Sequence, residues 1–181
     1  MTPLFVITAV GQDRPGIIAS VTKALWDCGC NLEDTSMTRL RNEFAMILLA
    51  RGGPGLRLEQ LQEHVRPALE ELGLTSSFRC LEPGEDGTTA ADAEKWLITV
   101  YGGDKPGIVH RVAALLASQG CNVTDVVTRA VGQQDSVIYI MHLEVVPPTG
   151  ADPDQVDALL KALGLEIGVE ISLQEIDEDI L

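Results

Sequence analysis

The sequence predicts an α+β fold: two successive βαββαβ units, each an antiparallel sheet with two helices on one face. Three observations predict it. The stretch GQDRPGIIASVTKALWDCGCNLED, from Gly11 to Asp34, returns as GGDKPGIVHRVAALLASQGCNVTD, from Gly102 to Asp125. Gly16 matches Gly107 and Asn31 matches Asn122, so the offset is a constant 91 residues. Apolar runs of strand length alternate with stripes at helical spacing, in the same order in both halves. Between the halves lies a polar, acidic stretch, PGEDGTTAADAE, which reads as a linker. The predicted domains are therefore residues 1–82 and 95–181, joined by a linker at 83–94, with a short acidic tail from Asp177 to Asp179.

Leu4 to Val10 is apolar and β-branched and is followed by Gly11, as expected of a buried strand. Pro15 suits a first helical turn, where its missing N–H would be unpaired anyway. Ile17, Val21, Leu25 and Cys28 follow at spacings of three and four, a helical stripe. Gly29 is placed to end that helix in a left-handed cap. Asn31 to Arg41 reads as the second strand, Asn42-Glu43 as a hairpin turn and Phe44 to Ala50 as the third strand. Leu58, Leu61, Val65 and Leu69 stripe a second helix ending near Gly73, and Leu74 to Leu81 is the fourth strand. The second half repeats this order. Trp96 to Tyr101 is a strand, and Ile108, Val112, Leu115 and Leu116 stripe a helix. Asn122 to Val131 and Val137 to Val146 are strands joined by a polar turn. Val156, Leu159, Leu160 and Leu163 stripe the last helix, and Leu165 to Ile176 contains the last strand. The order is that of the split βαβ, or ferredoxin-like, arrangement.

Composition narrows the function classes. Hydrophobic residues make up 45% of the 181 and aromatic residues only 4%, so the cores must be aliphatic. A formal net charge of −14 repels phosphate backbones, which argues against direct nucleic-acid binding. The four cysteines, Cys28, Cys30, Cys80 and Cys121, match no disulfide framework and no zinc spacing. Gln119 stands where Cys28 would recur, so the Cys28-Gly29-Cys30 triplet is not part of the repeated design; no metal and no cofactor are expected. Cys30 and Cys121 do match, as small buried residues where helix gives way to strand. Free thiols fit a reducing cytoplasm. Met1-Thr2-Pro3 lacks the basic start of a signal peptide, and no segment is apolar for long enough to span a membrane.

Two repeated strings carry the candidate chemistry. The first is Asp13-Arg14-Pro15-Gly16-Ile17, matched by Asp104-Lys105-Pro106-Gly107-Ile108. A strand leaves the sheet here and feeds a helix whose first N–H groups have no partner within it. Such a start accepts a carboxylate, helped by the helix dipole. Gly16 and Gly107 let a ligand or another backbone come close, and Asp13 and Asp104 are placed to hold an ammonium. Together these match the two charges of an amino acid. The alternative is that each aspartate only caps its helix. The second string is Gly29-Cys30-Asn31-Leu32-Glu33-Asp34, matched by Gly120-Cys121-Asn122-Val123-Thr124-Asp125. Asn31 and Asn122 can read a carboxylate or an ammonium, or simply satisfy turn backbone. His110 and Arg111 replace Ala19 and Ser20 in the first helical turn of the second copy. Thr38-Arg39 and Thr128-Arg129 match at an offset of 90, which implies a one-residue slip in the second strand.

On these strings the chain resembles the ACT domain, a small amino-acid-binding regulatory module of βαββαβ order, over nearly its whole length as two tandem copies. The resemblance implies ligand contacts at Asp13, Pro15, Gly16, Ile17, Asn31 and Asp34, and at Asp104, Pro106, Gly107, Ile108, Asn122 and Asp125. Serine-binding members of that family have Asn where this chain has Asp13 and Asp104. DRPGI, GCNLEDT and FAMILLARG look more closely like the glycine cleavage system transcriptional repressor family. That likeness implies a small ligand such as glycine or serine and a protein partner such as a LysR-type activator, with no direct contact to nucleic acid. The alternative is a stand-alone regulatory subunit of an amino-acid metabolic enzyme. No nucleophile–base pair or phosphate-cradling loop appears, so the chain is not expected to be an enzyme. Small cores and open sheet edges predict a homo-oligomer.

Overall fold

A computed structural model of the chain describes residues 2–82, 94–132 and 138–176. The chain divides into two compact units, Met1–Thr88 and Thr89–Leu181. The first contains β1 (Leu4–Gln12), α1 (Ile17–Asp27), β2 (Asn31–Leu40), β3 (Glu43–Arg51), α2 (Leu58–Glu71) and β4 (Thr75–Cys80). The second contains β5 (Lys95–Gly103), α3 (Ile108–Ser118), β6 (Asn122–Val131), β7 (Ile138–Val146), α4 (Pro153–Ile167) and β8 (Val169–Ile176). The strand orders are β2-β3-β1-β4 and β6-β7-β5-β8, and every pairing is antiparallel. Each unit is thus a ferredoxin-like βαββαβ fold. The predicted linker, except Glu94, and the acidic tail lie outside the described residues. So does most of the polar turn before β7.

Alternation along the central strands decides which face is covered. In the first unit Phe5, Ile7 and Ala9 of β1 and Phe44, Met46, Leu48 and Ala50 of β3 are buried. They pack on Ile17, Val21 and Leu25 of α1 and on Leu61, Val65 and Leu69 of α2. The intervening residues point to the helix-free face, where Val10 and Ile47 are half exposed. The second unit repeats this with Trp96, Ile98 and Val100 against Met141, Leu143 and Val145. The buried indole is satisfied locally: Trp96 Nε1 donates to Glu94 Oε1 at 2.8 Å.

The ends of α1 and α3 explain much of the second repeated string. Gly29 and Gly120 adopt φ of 69° and 75°. Cys30 N donates to Leu25 O and Gly29 N to Trp26 O; Cys121 N donates to Leu116 O and Gly120 N to Ala117 O. This is a Schellman stop, in which the residue after the glycine folds back onto the last apolar turn. Cys30 and Cys121 fill that place and are buried, and burial pushes both thiols up from their ordinary value. The register then shifts between Leu32 and Asp34 and between Val123 and Asp125. The string therefore encodes a stop, a strand start and a β-bulge at Glu33 or Thr124. Glu33 accepts from Arg51 Nε and, at 2.9 Å, from Nη2. Thr124 donates to Glu144 O at 3.2 Å.

Three local expectations are corrected, and one helix runs longer than its stripe. The first hairpin turns at Arg41-Asn42 and not at Asn42-Glu43, since Leu40 pairs with Glu43 and Arg41 takes the left-handed φ of 57°. No slip separates β2 from β6: Met37 pairs with Met46 and Thr128 with Met141, so the offset stays 91 to the strand ends. The helix α4 runs on past its stripe to Ile167, and β8 falls within the range expected to contain the last strand. Gly164 is buried there under β8, where a Cβ would come within 2.7 Å of Val169 O, and Leu165 is left 87% exposed on the solvent side. Pro15 precedes α1 instead of sitting in its first turn, as the site geometry shows.

Candidate functional site

The loops that open α1 and α3 are built alike. Gly16 is the N-cap of α1, with φ 96° and ψ −8°, and Gly107 that of α3, with φ 91° and ψ −1°. These are the angles of the third residue of a type II turn, whose second residue favours proline. Pro15 and Pro106 occupy that second place, so proline and glycine make one turn. A Cβ at Gly16 or Gly107 would meet nothing within 4 Å, so the glycine is required by its backbone angle and the space beyond it is open. Ile17 and Ile108 follow and are buried, which fixes the helix start to the core.

No side chain caps either helix. The alternative that Asp13 and Asp104 cap their helices is therefore corrected: the N-cap is the glycine three residues later, and no side-chain cap hydrogen bond is made there. In α4 the N-cap Asp152 accepts from Asp154 N at 3.0 Å and Gln155 N at 3.4 Å. The starts of α1 and α3 have no such acceptor, so their first N–H groups are available to an anion.

The basic residue of the string anchors the loop, a role that sequence reasoning missed. Lys105 Nζ donates to Ile167 O at 2.9 Å, at the end of α4. Arg14 reaches the corresponding place in the first unit: a Cβ on Gly73 would lie 3.1 Å from its Nη2. A cation there also meets the negative end of the helix dipole. Arg111 is tied to the same helix by an ion pair with Glu166 at 2.5 Å, while His110 is exposed.

The two aspartates differ in their surroundings. Asp13 N donates to Asn42 O at 2.7 Å, and its Oδ2 lies 3.4 Å from Arg39 Nη1. Arg39 pairs with Phe44 in the sheet, and the residue in its place in the second unit is Ala130, which pairs with Tyr139. Arg129 is one position off and lies on the helix-free face. Asp104 accordingly has no ion-pair partner among the described residues. Its charge is felt at Tyr139: burial pushes that phenol up, the Thr128 hydroxyl pulls it back, and the Asp104 carboxylate adds to the rise. Tyr139 therefore stays a neutral donor at physiological pH.

Within one unit the second string does not meet the first. Asn31 pairs with Arg51 and Asn122 with Val146, at the ends of the sheets where β1 and β5 begin. The loops lie at the other ends, beside Glu43 and Ile138, roughly 27 Å away by strand rise. Asn31 and Asn122 are exposed. Asp34 accepts from Thr35 N at 2.7 Å. Asp125 lies on the helix-free face, where it borders a shallow depression with Arg129, His142 and Glu144.

Among the described residues no group of three or more His, Cys, Asp or Glu comes together as a metal site, and no helix is long and apolar enough to cross a membrane.

The chain is thus a tandem of two ferredoxin-like units, each with an uncapped helix start behind a Pro-Gly turn. The chain belongs to the ACT domain family, whose model matches residues 3–79 and 94–174. It is 27% identical, over 95% of its length and 90% of the relative's, to the glycine cleavage system transcriptional repressor of Escherichia coli strain K12. A UPF0237 protein of Methanopyrus kandleri is 40% identical over 38% of this chain and 78% of its own. A crystal structure of an unknown protein from Galdieria sulphuraria superposes with a TM-score of 0.82 at 28% identity, covering 98% of this chain and 100% of that one. Family membership and the likeness to a repressor support a regulatory, amino-acid-binding role.

Proposed function

We propose that the protein is an amino-acid-responsive regulator of transcription that works through a protein partner, an activator of the LysR type, and not by touching DNA. The ligand is a small amino acid, glycine or serine-like. The observation that carries ligand binding is Asp104. Every other residue of its string serves the structure, since Lys105 anchors the loop, Pro106-Gly107 turns it and Ile108 joins the core. The Asp104 carboxylate serves no such purpose, and it stands beside a helix start without a cap. In this reading the ligand carboxylate meets the N–H groups that follow Gly107 or Gly16, and its ammonium meets the aspartate. The lining is Asp104, Pro106, Gly107 and Ile108, and in the first unit Asp13, Pro15, Gly16 and Ile17. Asn31, Asp34, Asn122 and Asp125 belong to the proposal as contacts from a second copy of the chain in a homo-oligomer.

Regulation follows from linkage: a ligand that binds two arrangements of the protein unequally shifts their populations and so the affinity for a partner. The net charge of −14 favours a protein partner over a phosphate backbone, and the name of the Escherichia coli relative points to transcription. Calorimetric titration of the full chain with glycine and L-serine tests the ligand; no heat at millimolar concentration from either sinks it. Affinity capture from the source cell tests the partner. Recovery of an amino-acid metabolic enzyme in place of a transcription factor would make the chain that enzyme's regulatory subunit.

A further inference from the structure

The two loops share a backbone but not a charge environment. In the first unit the guanidinium of Arg39 reaches Asp13 from β2, at 3.4 Å. Constant register places Ala130 at that position in the second unit, next to Tyr139 where the first unit has Phe44. On the same face, Thr128 stands where the first unit has Met37. At these three positions the first unit carries a cation, a thioether and a phenyl ring, and the second a methyl group and two hydroxyls.

We infer that the second unit alone holds the ammonium of a zwitterionic amino acid, through Asp104, and that the residue at the Arg39/Ala130 position decides this. Resting on the amino-acid reading given above, it names which of two similar loops does the binding. A carboxylate that already faces a guanidinium gains little from an incoming ammonium, and the ammonium meets repulsion from Arg39. A free carboxylate next to an uncapped helix start offers both charges the zwitterion needs. The Tyr139 hydroxyl donates to Met141 Sδ at 3.9 Å, so the contrast between the loops rests on the Arg39/Ala130 position.

The test is calorimetry of the full chain with glycine, then L-serine, with acetate as the probe that lacks an ammonium. Wild type is expected to bind one equivalent per chain. D104N should weaken glycine binding about tenfold or more, the loss of one charge-assisted contact. A130R should do the same by installing the missing cation, while A130Q, similar in length and uncharged, should leave affinity close to wild type. R39A should free Asp13 and raise the stoichiometry to two. Ala130, Arg39 and Asp104 are all exposed, so these variants are expected to fold, which circular dichroism checks. Unchanged affinity in D104N, a silent A130R, or one equivalent in R39A overturns the inference and leaves amino-acid binding intact. No binding of either amino acid by wild type overturns both.

Discussion

Lys105 Nζ donates to the carbonyl of Ile167, joining the loop before α3 to the last residue of α4. The loop is thereby held by the helix that it does not precede. Replacing Lys105 with Met removes a charged donor from a helix C-terminus and should cost about 0.5–1.5 kcal/mol. Urea unfolding of the full chain, followed through Trp96 fluorescence, measures it; an unchanged midpoint would show that the contact adds nothing to stability.

The turn glycine gives a sharper test. Alanine at Gly107 must adopt φ near 91°, which should cost about 1–2 kcal/mol and weaken ligand binding by moving the helix start. Alanine at Gly103 is the control: a Cβ there meets nothing within 4 Å and no positive φ is imposed, so the effect should be about 0.5 kcal/mol or less.

The two tryptophans report on separate units. Trp96 is fully buried and Trp26 is 74% exposed. W26F should leave a blue-shifted emission that acrylamide quenches poorly, and W96F a red-shifted one that it quenches readily. Similar quenching in both variants would contradict the core of the second unit.

Acid stability should depend on the β-bulge. Hydrogen bonding from Arg51 holds the Glu33 carboxyl below its ordinary value. The folded state thus favours the carboxylate, and the contribution is complete at neutral pH. It is lost as pH falls through and below the usual carboxylate range of about pH 4. E33Q should be less stable than wild type at pH 7, and the gap should close on acidification. A gap that is constant with pH would rule the ion pair out as its cause.

Much of this fold was legible because stripes and alternation report burial directly. Ile17, Val21 and Leu25, and Ile108, Val112 and Leu116, are the buried faces of α1 and α3. The failures have equally local causes. The end of α4 is hard to read because only the approach of β8 explains a glycine inside it, at Gly164. The Thr-Arg match at an offset of 90 was a two-residue coincidence, and pairing with Met46 and Met141 overrides it. The candidate loops were legible as a motif, but the roles within them were not. Whether an aspartate caps a helix depends on where the helix starts, and Gly16 sets that by its backbone angle. The contrast between Arg39 and Ala130 depends on the face of a strand, which no pairwise match of letters conveys.

The Pro-Gly turn and its basic anchor keep the shape of each loop, while β2 sets a cation beside the first and β6 offers none at the matched position of the second. Shape and charge are therefore separately mutable. A gene that duplicates such a unit can drift at one exposed strand position and acquire a second chemical preference without disturbing the first copy or either scaffold.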